Sequence, residues 1–139
     1  MDLQAALDWA AGRTSGVLIT IRADGRPQSS DVSYDVNGPT MRVSVTDGRA
    51  KTRNLRRDDR AVMHVSDRSS WSYAAFDGTV ELTPTAAEPG DATCRELAEQ
   101  YEKVAGRPHP DWDEYFEAMI AEKRLIVRFK PASVVGQIH

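Results

Sequence analysis

The sequence predicts a mostly β protein with some α: six or seven antiparallel strands closing into a Greek-key or split barrel, with a few peripheral helices. Three observations carry that prediction. Asp24-Gly25 and Asn37-Gly38 are two-residue hairpin signals set between β-branched runs, which is how an antiparallel meander announces itself. Short segments of period two recur on both sides of them, and helical periodicity is confined to the two ends of the chain and one basic stretch. At 139 residues the chain is long enough for one real core and too short for two ordinary ones, so residues 1–139 read as a single domain.

Taken in order, Leu3, Ala6, Leu7 and Ala10 recur at helical spacing and Gly12 supplies a stop, predicting an N-terminal helix laid on the body. Ser15 to Arg22 is β-branched and bounded by turn residues, and Asp24-Gly25 returns the chain into a partner strand from about Pro27 to Val36. On that strand Ser30, Val32 and Tyr34 share one face and Ser29, Asp31 and Ser33 the other. Thr40 to Thr46 alternates, with Met41, Val43 and Val45 on one side, and Ala61 to Ser66 is a fourth strand. Trp71 to Thr83 is either a hairpin turning at Asp77-Gly78 or one strand bent at the glycine; a small barrel needs such a kink to close, which favours the single strand.

Thr93 to Glu96 has the form of a capping box, and Leu97, Ala98, Tyr101, Val104 and Ala105 follow on one face before Gly106 and Pro108 end the helix. Asp111 with Glu114 caps another helix, whose Trp112, Tyr115, Phe116, Met119 and Ile120 form an apolar stripe. Arg124 to Lys130 is a strand that Pro131 is expected to break, with Ser133 to Ile138 returning as a short last one.

A formal net charge of −3 argues against general nucleic-acid binding, so any basic patch is a local feature. Cys94 is the only cysteine, which excludes an intrachain disulfide and a thiolate metal cluster and leaves it as a small packing residue in a helical pattern. The N-terminus lacks a signal-type apolar region and no apolar run approaches membrane-spanning length, so a cytoplasmic protein is expected. His64, His109 and His139 lie in unrelated contexts without the spacing of a metal pair, and no metal site is expected. No serine sits in a nucleophile elbow and no glycine-rich nucleotide loop is present. Any catalysis therefore points to chemistry borrowed from an organic cofactor, and no residue of the chain is singled out as catalytic.

The stretch suited to holding one is Arg49-Ala50-Lys51-Thr52-Arg53-Asn54-Leu55-Arg56-Arg57, five cations in nine residues. It favours a short helix whose free N–H groups and dipole suit an anion at its start, where Arg49 and Lys51 stand; Asn54 lies one turn on, and Leu55 would anchor the helix. A solvated basic loop explains the same run of charge. Pro27, Gln28, Ser29, Ser30 and Ser44 could present polar groups to a flat heterocycle, with Trp71, Ser72 and Tyr73 as a wall, although Trp71 taken alone reads better as core.

The order Asp24-Gly25-Arg26-Pro27-Gln28, Val32-Ser33-Tyr34, Arg49 to Asp58, Trp71-Ser72-Tyr73 and Asp111-Trp112-Asp113 resembles the split β-barrel flavin and deazaflavin oxidoreductases, the superfamily that includes pyridoxamine 5′-phosphate oxidase. The likeness runs from Gly16 to about Gly136 and is nearest to the actinobacterial branch that uses the deazaflavin coenzyme F420. It implies the flavin-binding (FMN-binding) split-barrel fold, a homodimer, and a cofactor in a groove shared between subunits. By the same resemblance Arg49, Lys51 and Asn54 hold the phosphate, Pro27, Gln28, Ser30, Val32, Ser44 and Val45 line the tricyclic ring, and Trp71 and Ser72 approach the groove. A second copy would also cover an apolar face of Trp112, Tyr115 and Phe116.

F420 carries a phosphodiester and a chain of glutamates, whereas riboflavin monophosphate (FMN) carries one compact phosphate. Arg53, Arg56 and Arg57 exceed the need of one phosphate and favour the deazaflavin, unless they pair with Asp58, Asp59 or Asp67. The expected activity is hydride transfer from reduced F420 to an electron-poor conjugated organic substrate, without nucleic-acid or membrane partners. An FMN-dependent pyridoxamine 5′-phosphate oxidase-like enzyme and a non-catalytic F420-binding carrier are the alternatives.

Overall fold

The computed structural model describes residues 1–139. Six antiparallel strands, β1 (Ser15–Ile21), β2 (Pro27–Asn37), β3 (Thr40–Thr46), β4 (Arg60–Asp67), β5 (Ser72–Leu82) and β6 (Arg124–Gln137), close into a barrel in the order β1-β2-β3-β6-β5-β4. Four helices accompany them: α1 (Leu3–Ala10), α2 (Ala50–Arg57), α3 (Ala92–Ala105) and α4 (Trp112–Ala121). None is long and apolar enough to cross a membrane.

The period-two pattern becomes an inside and an outside. Leu18, Tyr34, Met41, Val43, Val45, Met63, Val65, Phe76 and Phe129 fill the barrel, all at most 1% exposed. Both hairpins turn on glycines with positive φ, Gly25 at 86° and Gly38 at 59°, where a side chain would be strained. The helix α1 closes one end: Ala6, Leu7 and Ala10 join the barrel core, and the Tyr34 hydroxyl donates to the Ala10 carbonyl at 2.7 Å. Burial raises the Tyr34 pKa well above its usual range, so the phenol stays a donor.

Three expectations need correcting. Pro131 does not break the last strand: β6 runs unbroken from Arg124 to Gln137, with Pro131 opposite Gly78 where the ladder shifts register and Ala132 is the extra residue on β6. A Cβ on Gly78 would lie 2.1 Å from the Lys130 carbonyl oxygen, so the glycine and the proline, which needs no ladder partner, accommodate one another. The bent single strand expected at Asp77-Gly78 is thus present, and it spares the proline. The cap of α3 is Asp91, whose carboxylate accepts from the Cys94 amide at 2.8 Å, while the Thr93 hydroxyl donates to the Pro84 carbonyl instead. Finally, the stripe of α4 is not an open face. Tyr115 is 7% exposed, and together with Cys94, Leu97, Ala86 and Ile126 it forms a second core between the α3–α4 hairpin and the outer side of β6. The large apolar side chains that are exposed are instead Met1, Trp71, Tyr73 and Val135, and Trp71, at 75%, is not core.

Candidate functional site

The barrel is hydrogen-bonded all the way round, but unevenly. β2 pairs with β1 from Pro27 to Ser33, and with β3 only from Tyr34 to Asn37. The rest of β3, Ser44 to Thr46, pairs with β6 on its other side. Between Gln28–Ser33 and Ser44–Thr46 the two strands therefore part, and a seam with free backbone edge groups opens in the wall.

The foot of that seam is occupied by α2. β3 and β4 are not neighbours in the barrel, so the connection between them must cross the barrel end past β2 and β1, and α2 makes that crossing. Leu55 is its apolar anchor, 3% exposed in the barrel core. The Thr52 hydroxyl donates to the Thr46 carbonyl at 2.7 Å. Asn54, 6% exposed, donates through its amide to Thr20 Oγ1 at 3.1 Å and Gln28 Oε1 at 2.9 Å, and its carbonyl accepts from Arg57 at 3.0 Å. Asn54 thus ties the helix to β1 and β2 and fixes the side chain of Gln28; both amide hydrogens are used, so it reaches a ligand only by exchanging one of these bonds.

Arg49 is the N-cap of α2 and makes no side-chain capping bond. Neither Arg49 nor Lys51 forms an ion pair or a side-chain hydrogen bond, which sets them apart from the other cations of the segment. Arg53 donates to the Gly48 carbonyl, Arg56 pairs with Asp47 at 2.5 Å, and Arg57 donates to the Ile21 carbonyl and to Asn54. Of the carboxylates considered for these arginines, Asp58 pairs with Arg60 and Asp67 with Arg13, while Asp59 forms no ion pair. Burial first, then the positive charges of Arg49 and Arg124, hold the Lys51 ammonium below the usual lysine range. A half-buried cation beside two others, of which only Arg124 has a carboxylate partner, is a site whose charge a bound anion would balance.

Arg124 is the member of this group that sequence reasoning missed. It lies opposite Thr46 at the start of β6, bonds Glu122 at 3.0 Å, and directs a second nitrogen to the hydroxyl of Ser44 at 3.4 Å. Its only sequence signal was a place at the head of a strand.

Among the expected ring-lining residues, Gln28, Ser30 and Val32 follow one another along β2, facing the barrel side with their partners Thr20, Leu18 and Gly16, and Pro27 stands at the strand's exposed start. Ser44 lies on the outer side of β3. The side chain of Val45 points into the core at 1% exposure and leaves only its backbone at the seam, a difference from the expected lining that follows from strand alternation. Trp71 and Ser72 are not part of this assembly within one chain. Ser72 pairs with Asp67, which binds Arg13 just ahead of β1, whereas Asn54 binds Thr20 near its far end. At about 3.3 Å per residue the two places are about 20 Å apart along β1.

On the outer side of the seam the α3–α4 hairpin roofs a cleft of about 420 Å³, floored by Ser33 and Ser44 and walled by Tyr101, His109, Tyr115 and Met119. This too was missed, because Tyr101 and Tyr115 carried the signal of an ordinary helix stripe and His109 that of a proline-flanked loop.

A closed antiparallel barrel parted along one seam, with a helix N-terminus at its foot, is the split-barrel oxidoreductase fold. The chain belongs to the pyridoxamine 5′-phosphate oxidase family, whose pattern matches residues 3–137. Solved structures agree. A conserved hypothetical protein from Mycobacterium tuberculosis superposes with a TM-score of 0.78 at 23% identity, over 98% of this chain and 84% of that one. A structure described as an F420 reductase gives 0.66 at 24%, over 88% and 89%. A heme-binding protein from Mycobacterium smegmatis gives 0.71 at 23%, over 97% of this chain and 53% of that one. At these identities the likeness is one of fold.

Proposed function

We propose that this chain is a homodimeric F420-dependent reductase, delivering a hydride from the reduced deazaflavin to an electron-poor conjugated organic substrate. The observation that carries the reading is the pair Arg49 and Lys51, left without anions at the N-terminus of α2 beneath an open seam. The cofactor's phosphodiester suits that corner, where backbone N–H groups and two cations converge. Its planar ring suits the seam, where the Gln28 side chain is held in place by Asn54 and edge backbone groups are free to bond. Bound there, the deazaflavin supplies two-electron hydride chemistry, and the chain's own residues orient it and shield one of its faces.

Support for F420 over FMN comes from the motif order and from the exposed Arg53 and Arg56, past which a glutamate chain leaving the corner would run. The similarity to a structure described as an F420 reductase is consistent with it. A specific observation favours FMN as the second reading: the two unpartnered cations are what one compact phosphate requires, and the remaining arginines of the segment already have partners.

The homodimer accounts for two features at once. Trp71 and Ser72 lie far from their own seam, and in a two-fold pair they could reach the partner's. Tyr73 and Val135 are exposed on the outer wall where β5 pairs with the C-terminal part of β6, and a second barrel is a fitting cover for them.

The reading is tested by mixing the protein with reduced F420 and following reoxidation with and without 2-cyclohexen-1-one or menadione. Acceptor-dependent reoxidation under anaerobic conditions is the expected result. Tight cofactor binding without turnover of any such acceptor would instead indicate a carrier.

A further inference from the structure

We propose that a second cleft, formed by α3 and α4 alone, binds an extended zwitterion with a flat apolar middle, the chemistry of a tripeptide with a central aromatic residue. This site stands or falls apart from the cofactor corner.

The cleft measures about 310 Å³ and is lined by Arg95, Ala98, Glu99 and Glu102 of α3 and by Trp112 and Phe116 of α4. No strand contributes to it, and it shares no residue with the cleft floored by Ser33 and Ser44. Its volume is at the lower end for small-molecule sites and suits a ligand of tripeptide size.

Helical spacing sets the layout. Ala98, Glu99 and Glu102 follow Arg95 by three, four and seven positions, so all four share one face of α3. Ala98 is the small residue of that face and leaves room beside α4. There the Trp112 and Phe116 rings, 6.1 Å apart between centroids and inclined by 26°, make a nearly flat wall. Edge contacts from Tyr101 and Tyr115 hold the Trp112 ring in place. Such a wall gains most from another flat ring.

Charge then gives the ligand its ends. Of the five charged residues on α3, Glu96 pairs with Arg128, Glu99 with Arg42 at 3.4 Å and Lys103 with Asp35 at 3.8 Å. Glu99 stands one turn from Arg95, the spacing of a helical ion pair, yet turns to the barrel instead. That leaves Arg95 and Glu102, both in the cleft and both exposed, as the two without an ion pair or a side-chain hydrogen bond. Seven residues apart, they are offset by about 10 Å along the helix axis, too far to satisfy one another. Three extended residues span about the same 10 Å. A tripeptide therefore lies along α3 with its carboxylate at Arg95, its ammonium at Glu102 and its central ring against Trp112 and Phe116.

The test titrates Gly-Phe-Gly calorimetrically into the protein, beside its N-acetylated and C-amidated forms and Gly-Gly-Gly. The free peptide is expected to bind with a Kd below about 1 mM, and Gly-Gly-Gly at least about tenfold more weakly. Each capped form should lose about two- to fivefold, the worth of one exposed charge pair. Glu102→Gln and Arg95→Gln alter exposed, unpartnered side chains and leave the fold intact. Glu102→Gln should abolish the effect of acetylation and keep that of amidation, and Arg95→Gln should do the converse. No binding of Gly-Phe-Gly at about 10 mM, capped forms that bind as well as the free peptide, equal affinity for Gly-Gly-Gly, or the opposite pairing of variants and ends overturns the proposal. So does a loss of F420 affinity in either variant, which would put the cleft in the cofactor site. Failure of F420 to bind the wild type, with the peptides behaving as expected, would overturn the cofactor reading and leave this site standing.

Discussion

Two sets of cations stand at opposite ends of one pair of strands, β3 and β6, and the chain treats them in opposite ways. Arg42 and Arg128 face each other across the ladder beneath α3. Arg42, its side chain 3% exposed, is gripped by Asp35 through two bonds of 3.0 and 2.6 Å, with Glu99 and Glu96 near; Arg128 is bound by Glu96 and Glu81. At the other end of the strands Arg49 and Lys51 meet no carboxylate, although the sequence carries more acids than bases. Where the chain supplies the anion, the cation holds the fold together. Where it withholds the anion, the cation costs stability and is available to a ligand.

The largest effect should come from breaking the satisfied set. Arg42→Met leaves the Asp35 carboxylate buried with only Lys103, at 3.8 Å, nearby, and should lower the unfolding free energy by about 3–5 kcal/mol in a denaturant titration. Lys51→Ala should do the reverse. F420 affinity falls by about 10- to 100-fold, the worth of one charge-assisted bond, while stability at neutral pH is unchanged or rises. The sign follows from the depressed lysine pKa: below it the folded state carries the full penalty of the charge, and wild-type stability recovers as pH rises from the folded value toward the unfolded one. A fall in stability in Lys51→Ala would mean that the ammonium has a partner within the fold.

Asn54→Ala is an intermediate case, because Asn54 is satisfied within the chain and yet stands in the cofactor corner. It leaves Thr20 and Gln28 without a side-chain partner and Arg57 with the Ile21 carbonyl alone, and should cost about 1–2 kcal/mol, with a weakening of F420 that reports how far Gln28 depends on it. The smallest effect concerns a carboxylate satisfied mainly by backbone amides. Asp91 caps α3; although burial opposes it, bonds from the Ala87, Cys94 and Glu88 amides hold its pKa at about 2. Its contribution is complete above the unfolded value of about 4 and disappears as pH falls through about 2. Asp91→Ala should cost about 1 kcal/mol at neutral pH and flatten the acid limb of the stability curve.

Much of the fold was legible because local rules and global packing agree. Asp24-Gly25 and Asn37-Gly38 form the expected turns, Asp111 caps α4 through the Glu114 amide, and the alternation of Met41, Val43 and Val45 is the inside of the barrel. Legibility ended where the deciding partner is remote. Pro131 is tolerated because of Gly78, more than fifty residues earlier; the stripe of α4 is covered by α3 rather than left open; Arg124 reaches Ser44 from 80 positions away. The basic corner could be named from its sequence, since helix and cations are contiguous there. Which of its cations are free could not, because the partners of Arg53, Arg56 and Arg57 are set by where the turn and β1 lie.

An anionic redox cofactor docking at Arg49 and Lys51 is the central proposal. Its most direct test is a parallel fluorescence titration of the wild type and Lys51→Ala with F420 and with FMN. Micromolar or tighter binding of F420 to the wild type, weaker binding of FMN, and a loss of at least about tenfold for F420 in the variant are expected. Equal F420 affinity in the two proteins would contradict it.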